Sequence, residues 1–158
     1  MALTQQQIDA LGPEVLPFER ENFRRPVEKG EAILFNTLIY DVSRMGKPVN
    51  VVRVSSEIAL QQSRIGRYLW IIDKDGLKIL FEATPNPEAK RGVVCHTNIT
   101  GGQSALQGGE LWFGDADKVY LNYQSGRYGP NQISQRQAVL AYFNSLGFTV
   151  VTLGDIWK

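Results

Sequence analysis

One cysteine and one histidine are all that this chain of 158 residues carries of either type. Each scarcity closes off chemistry. Cys95 has no partner for an internal disulfide, so burial alone must hold the fold, which fits a reducing compartment or an exported protein that never relied on bridges. His96 sits beside that cysteine, and no other Cys or His exists to complete the usual zinc sets. A dominant charge is missing as well. Seventeen Lys and Arg against sixteen Asp and Glu leave a formal charge of +1, too little for the broad positive field that draws a protein onto nucleic acid or anionic lipid. No apolar run approaches the roughly 20 residues needed to span a bilayer. Residues 1–7 lack the basic and apolar stretches of a secretion signal. A cytoplasmic chain with no membrane partner is the expectation.

What is present is ordinary globular composition, 43% hydrophobic and 21% charged, in a length that suits one domain. Thr4 followed by Gln7 has capping-box spacing, so residues 5–11 form a short peripheral helix that Gly12 and Pro13 stop. Pro13, Pro17 and Pro26, with Phe18 and Phe23 as anchors, make residues 13–30 an extended arm packed on the body. The near-continuous apolar run at 32–42 tips towards strand, and 49–54 is a second strand. Ser55 or Ser56 caps a helix through Arg64 with Ile58 and Ile65 inward. Residues 68–73 and 77–83 flank Asp75-Gly76 as a hairpin.

Further along, residues 92–99 read as an extended segment carrying His96, followed by a Gly-rich loop over 100–109. A second hairpin joins 110–113 to 118–123. Ser134 and Gln137 open a helix with Val139, Leu140, Tyr142, Phe143 and Leu146 on one face, and Gly147 closes it. Residues 148–153 form a buried closing strand, and Trp157 docks from the tail. The pattern is α+β, a single domain over 1–158 with a mostly antiparallel sheet and a few flanking helices.

Chemistry-bearing residue types concentrate between Cys95 and Pro130. Asp115 and Asp117 lack the later Gly and Glu of a calcium loop, so they mark a turn. The Gly101-Gly102 and Gly108-Gly109 pairs match neither a phosphate-binding loop nor a dinucleotide fingerprint, and no cofactor is expected. Metal-independent acid–base chemistry remains. His96 can give or take a proton near neutrality, Glu110 can serve as its partner, and Arg127 can stabilise a developing anion. Thr97, Ser125 and Tyr128 are further donors for substrate. The set suits cleavage of RNA, whose 2′-hydroxyl is an internal nucleophile.

The order His96-Thr97, Gly101-Gly102, Gly108-Gly109-Glu110 and Ser125-Gly126-Arg127-Tyr128 resembles a pattern in C-terminal domains of bacterial polymorphic toxins, with arginine where some relatives carry histidine. The match covers the C-terminal half. It implies a ribonuclease-like activity for His96, Glu110 and Arg127, with Ser125 and Tyr128 beside them and RNA as the partner. Two alternatives stand beside it: a non-enzymatic, immunity-type domain that grips a protein or small ligand, and an NAD-consuming transferase or hydrolase. In the latter, Glu110 would face a cation-like centre and Arg127 the pyrophosphate.

Overall fold

The turn at Lys74 and Asp75 sets the register from which the sheet is built. The computed structural model describes residues 2–17, 26–125, 127, 128 and 132–153. Strands β2 (Arg67–Asp73) and β3 (Gly76–Phe81) pair antiparallel, with Asp73 opposite Gly76 and Tyr68 opposite Phe81. Asp73 fixes the turn by accepting the N–H groups of Asp75 at 2.8 Å and Gly76 at 3.1 Å, which satisfies donors that the ladder cannot reach. Strand β4 (Gln107–Phe113) lies along the other side of β2, placing Gly109 opposite Trp70 and Glu110 opposite Leu69. Strand β5 (Lys118–Asn122) continues antiparallel, with Asn122 opposite Glu110. The short β1 (Tyr40–Asp41) ends one edge against β3, and β6 (Thr149–Thr152) ends the other, parallel to β5. The expected α+β architecture with a mostly antiparallel sheet is the observed one.

Side chains alternate across the strands, so each face of the sheet has its own core. Helices α1 (Gln5–Leu11) and α5 (Ile133–Ser145) cover the first face. There Leu11, Val139, Tyr142 and Phe143 pack on Trp70, Ile72, Leu111 and Leu121. Trp70 and Phe143 meet edge-to-face at 5.4 Å, the geometry that aromatic quadrupoles prefer. On the second face, Leu69, Ile71 and Leu80 pack with Val94, Ile99 and Tyr128. A separate group joins Trp112 and Tyr120 to Ala59 of α3 (Ser56–Leu60) and to Leu153. Arg67, Glu110 and Asn122 emerge on that face between the two apolar groups. Among the described residues no helix is long and apolar enough to cross a membrane.

Several local expectations are corrected. The run at 32–42 turns at Asn36, because Phe35 and Ile39 pack on the second-face core at helical spacing. Only Tyr40 and Asp41 pair before α2 (Val42–Met45) begins. Residues 49–54 form no strand; Arg53 makes one isolated parallel bridge to Phe113, and Val49 is exposed. Helix α3 stops at Leu60, ahead of the left-handed Gln62, and leaves Ile65 exposed. The 92–99 segment is not extended throughout, since α4 (Thr97–Thr100) starts directly after His96 and ends on Gly101 at φ 66°, a conformation that suits glycine. Gly108 and Gly109 belong to β4, not to a loop. Helix α5 is capped by Gln132 and Gln135 in place of Ser134 and Gln137. The α1 helix, expected to be peripheral, buries Leu11 in the core. Strand β6 is an exposed edge. Phe18, Phe23 and Trp157 lie outside the described residues.

The glycine pair in β4 is explained by close approach. A Cβ on Gly109 would lie 2.7 Å from the Trp70 ring and would also strike the Asn122 carbonyl oxygen. One on Gly108 would press on Tyr128 and Ile71 from the other side. Gly109→Ala is therefore expected to cost about 2–3 kcal/mol through overpacking. Urea unfolding measures this, and an unchanged midpoint would refute the packing argument.

Candidate active site

The hairpin that organises the sheet also assembles an ionic cluster. Its register carries on past Tyr68 and Phe81, bringing Arg67 opposite Glu82, whose N–H donates to the Arg67 carbonyl at 3.0 Å. The guanidinium grips Glu82 with two bonds, Nε to Oε2 at 2.9 Å and NH2 to Oε1 at 2.5 Å. This fork-to-carboxylate match is the strong form of an arginine ion pair. The same Nε reaches Glu110 Oε2 at 3.3 Å. Trp112 lies under the guanidinium at 5.9 Å, and the Gln62 carbonyl accepts from NH1 at 3.3 Å.

Glu110 is held from its other side by Asn122. The Asn122 amide nitrogen donates to Glu110 Oε1 at 3.0 Å, and its Oδ1 accepts from the Glu110 N–H at 3.0 Å. Oδ1 also accepts from Gln124 N–H at 3.0 Å, while Nδ2 donates to Gln62 Oε1 at 3.0 Å. All of the Asn122 side-chain capacity is thus used, and its orientation is fixed. Burial raises the Glu110 pKa to about 7, with Arg67 and Asn122 opposing and the Glu82 charge reinforcing.

His96 enters from the turn before α4. Its Nε2 lies 2.7 Å from the carbonyl oxygen of Gly109, the residue preceding Glu110. A carbonyl only accepts, so Nε2 carries the hydrogen, and the neutral ring presents Nδ1 as its basic nitrogen. Burial pushes the His96 value down to about 4; the Gly109 bond and the Glu82 charge oppose this, and the charges of Arg91 and Arg67 add to it. His96 is thus bonded to the residue that precedes Glu110 in β4, and burial moves the pKa values of the two groups in opposite directions.

Arg127 lies in a different setting from the one expected. It donates from NH1 to the Pro17 carbonyl at 2.8 Å and faces Glu31 at 3.8 Å, almost wholly buried. The guanidinium beside Glu110 is Arg67. Of the expected substrate donors, Thr97 is buried with its hydroxyl 3.1 Å from Cys95 Sγ. Ser125 Oγ accepts from the Tyr128 N–H at 3.1 Å. Tyr128 is fully enclosed, its hydroxyl donating to the Gln103 carbonyl at 2.7 Å and lying 3.0 Å from Thr100 Oγ1. Burial raises its pKa to about 12. These groups are occupied in internal bonds.

Arg67, Glu82, Asn122 and Gln62 were not picked out from the sequence. A signal for the first two existed, because extending the Asp75-Gly76 hairpin by one pair sets Arg67 against Glu82. Among the described residues no three His, Cys, Asp or Glu side chains converge as a metal site, and Asp117 pairs with Lys47 at 2.5 Å. Two clefts open elsewhere. One of about 430 Å³ is lined by Glu14, Asp73, Lys74, Lys78 and Ser104. The other, about 370 Å³, is an apolar groove along Leu38, Val52 and Phe81. Comparison with protein-family models, with curated proteins and with solved structures found no match.

The opposed displacements have opposite effects on stability. Folding keeps His96 neutral, so its contribution is full above about 6.5 and is lost as pH falls through about 4. Glu110 holds its proton more tightly when folded, so its contribution is full below about 4.5 and is lost as pH rises through about 7. Glu110→Gln is expected to leave a molecule that gains on the order of 1–2 kcal/mol from pH 4 to 6.5, and His96→Gln one that loses a similar amount from pH 4.5 to 7. Urea titrations across pH check this; matching slopes in the two variants would refute it.

Proposed function

We propose that this protein is a metal-independent acid–base enzyme of the bacterial toxin type that cleaves RNA. The reading rests on one observation, the bond from His96 Nε2 to the carbonyl of Gly109, the residue before Glu110, and it is supported by burial that lowers the His96 pKa and raises that of Glu110. Separating the two values is how a site holds a base and an acid ready together. His96 Nδ1 takes the proton of the 2′-hydroxyl, whose oxygen forms a new bond to phosphorus. The bond from phosphorus to the 5′-oxygen breaks, and the Glu110 proton goes to that departing oxygen, leaving a cyclic phosphate. The cation offered to the phosphate is Arg91, which is exposed and whose charge reaches His96. Arg127 is engaged with Glu31 and Pro17 and does not take that part.

A second reading, consumption of NAD, is favoured by the two carboxylates that converge on one guanidinium. Such a site stabilises a centre gaining positive charge, as a ribose does when nicotinamide departs.

Purified protein incubated with total RNA in EDTA is expected to cleave it. His96→Ala and Glu110→Gln are each expected to lower the rate about 100-fold or more. The rate should rise with pH through about 4, where His96 loses its proton, and fall through about 7, where Glu110 loses its own. Intact RNA with the unaltered protein refutes the first reading, and loss of NAD in a parallel tube supports the second.

A further inference from the structure

The hydrogen-bond pattern around Glu110 assigns parts to two residues outside the His96 and Glu110 pair. We propose that Glu82 and Arg67 are positioning residues of this site: the Arg67 guanidinium holds the Glu82 charge beside Glu110, and that charge keeps Glu110 an acid. The inference rests on the reading of Glu110 as the proton donor.

Glu82 Oε2 and Glu110 Oε2 both approach Arg67 Nε, at 2.9 and 3.3 Å. Two oxygens meeting one N–H are close neighbours, and one guanidinium neutralises only one negative charge. Arg67 is committed to Glu82 through its fork, and Trp112 and the Gln62 carbonyl hold it there. A second full charge on Glu110 would be buried and poorly compensated, a costly state that a proton on Glu110 relieves.

Asn122 decides which oxygen carries that proton. Its amide nitrogen donates to Oε1 of Glu110, so Oε1 must accept. Its orientation is fixed by the main-chain donors of Glu110 and Gln124. The proton is left to Oε2, the atom that faces Glu82 and Arg67. The charged and titratable groups facing Glu110 are then Arg67 from β2 and Glu82 from the end of β3, with His96 beyond the Gly109 carbonyl. Asn122 and Gln62 add only neutral amides. Arg67 supports the ionised form of either carboxylate, and Glu82 opposes the second ionisation.

The test is a carbon-13 NMR titration of glutamate side-chain carboxyls in the full chain, compared with Glu82→Gln. In the unaltered protein the Glu110 signal is expected to move near neutral pH. Glu82→Gln removes the competing charge and frees Arg67, so the Glu110 midpoint is expected to drop by about one unit or more. The falling limb of the pH–rate profile should move down with it, a change that a purely structural role would not produce. Glu110 titrating in the ordinary carboxylate range in the unaltered protein overturns the proposal, as does a midpoint unmoved by the substitution. Should Glu82→Gln fail to fold, the titration of the unaltered protein decides alone. Absence of RNA cleavage, with Glu110 titrating near neutral pH and its midpoint lowered in Glu82→Gln, would overturn the ribonuclease reading and leave the positioning roles of Glu82 and Arg67 standing.

Discussion

One guanidinium serving two carboxylates across three neighbouring strands is the constraint on which the second face of the sheet depends. Arg67 comes from β2, Glu82 follows β3, and Glu110 is in β4, with Asn122 of β5 completing the row. The row runs between two apolar groups, Leu69, Ile71 and Leu80 on one side and Trp112, Tyr120 and Ala59 on the other. Taking three ionisable groups out of water is costly, and apolar residues of similar volume in such positions are often neutral or stabilising. Packing alone thus gives little reason for charge here. What the charged row provides is fixed geometry: each carboxylate oxygen of Glu110 has an assigned partner, and any shift in strand register would break several charge-assisted bonds together.

The glycine pair in β4 provides the complementary half of that geometry. Gly109 gives the Trp70 ring room to lie against the strand, and Gly108 does the same for Ile71 and Tyr128 on the other face. With large side chains absent from two successive positions, the turn before α4 can come close enough for His96 to bond the Gly109 carbonyl at 2.7 Å. The imidazole is held by main chain one residue from Glu110, so its position follows β4. Sequence composition, local extended structure, ring packing and the approach of His96 to that strand form one causal series.

Legibility in the sequence followed the range of the forces involved. The Thr4 capping box and the Asp75-Gly76 hairpin are settled within a few residues, and both stand where local chemistry put them. The run at 32–42 has strand composition, yet Phe35 and Ile39 are drawn to the second-face core at a spacing of four, and the turn between them follows from that burial. The candidate site divides in the same way. His96 and Glu110 stood out as residue types near one another in the chain. Arg67 and Glu82 lie in a different hairpin, and only the pairing of β2 with β4 brings them to Glu110. Arg127 attracted attention through its place in the C-terminal pattern, but nearness in sequence does not determine which carboxylate a long side chain meets; Glu31 does.

That pattern acquires a physical division of labour. Tyr128 is sealed in the core with its hydroxyl bonded at the C-terminal end of α4, to Thr100 and to the Gln103 carbonyl. Ser125 holds the Tyr128 main chain, and Arg127 binds Pro17 and Glu31. Next to Glu31, Asn98 donates to the carbonyls of Gly30 and Ile33 and accepts from the Cys95 N–H. The residues around the Ser-Gly-Arg-Tyr turn therefore clamp α4 at its far end and fasten the segment before β1 beneath it. His96 lies at the near end of the same short helix, so its approach to Gly109 is fixed by contacts several residues away. Thr97, Ser125, Arg127 and Tyr128 are thus taken up in bonds that tie α4 and its neighbouring segments to the core.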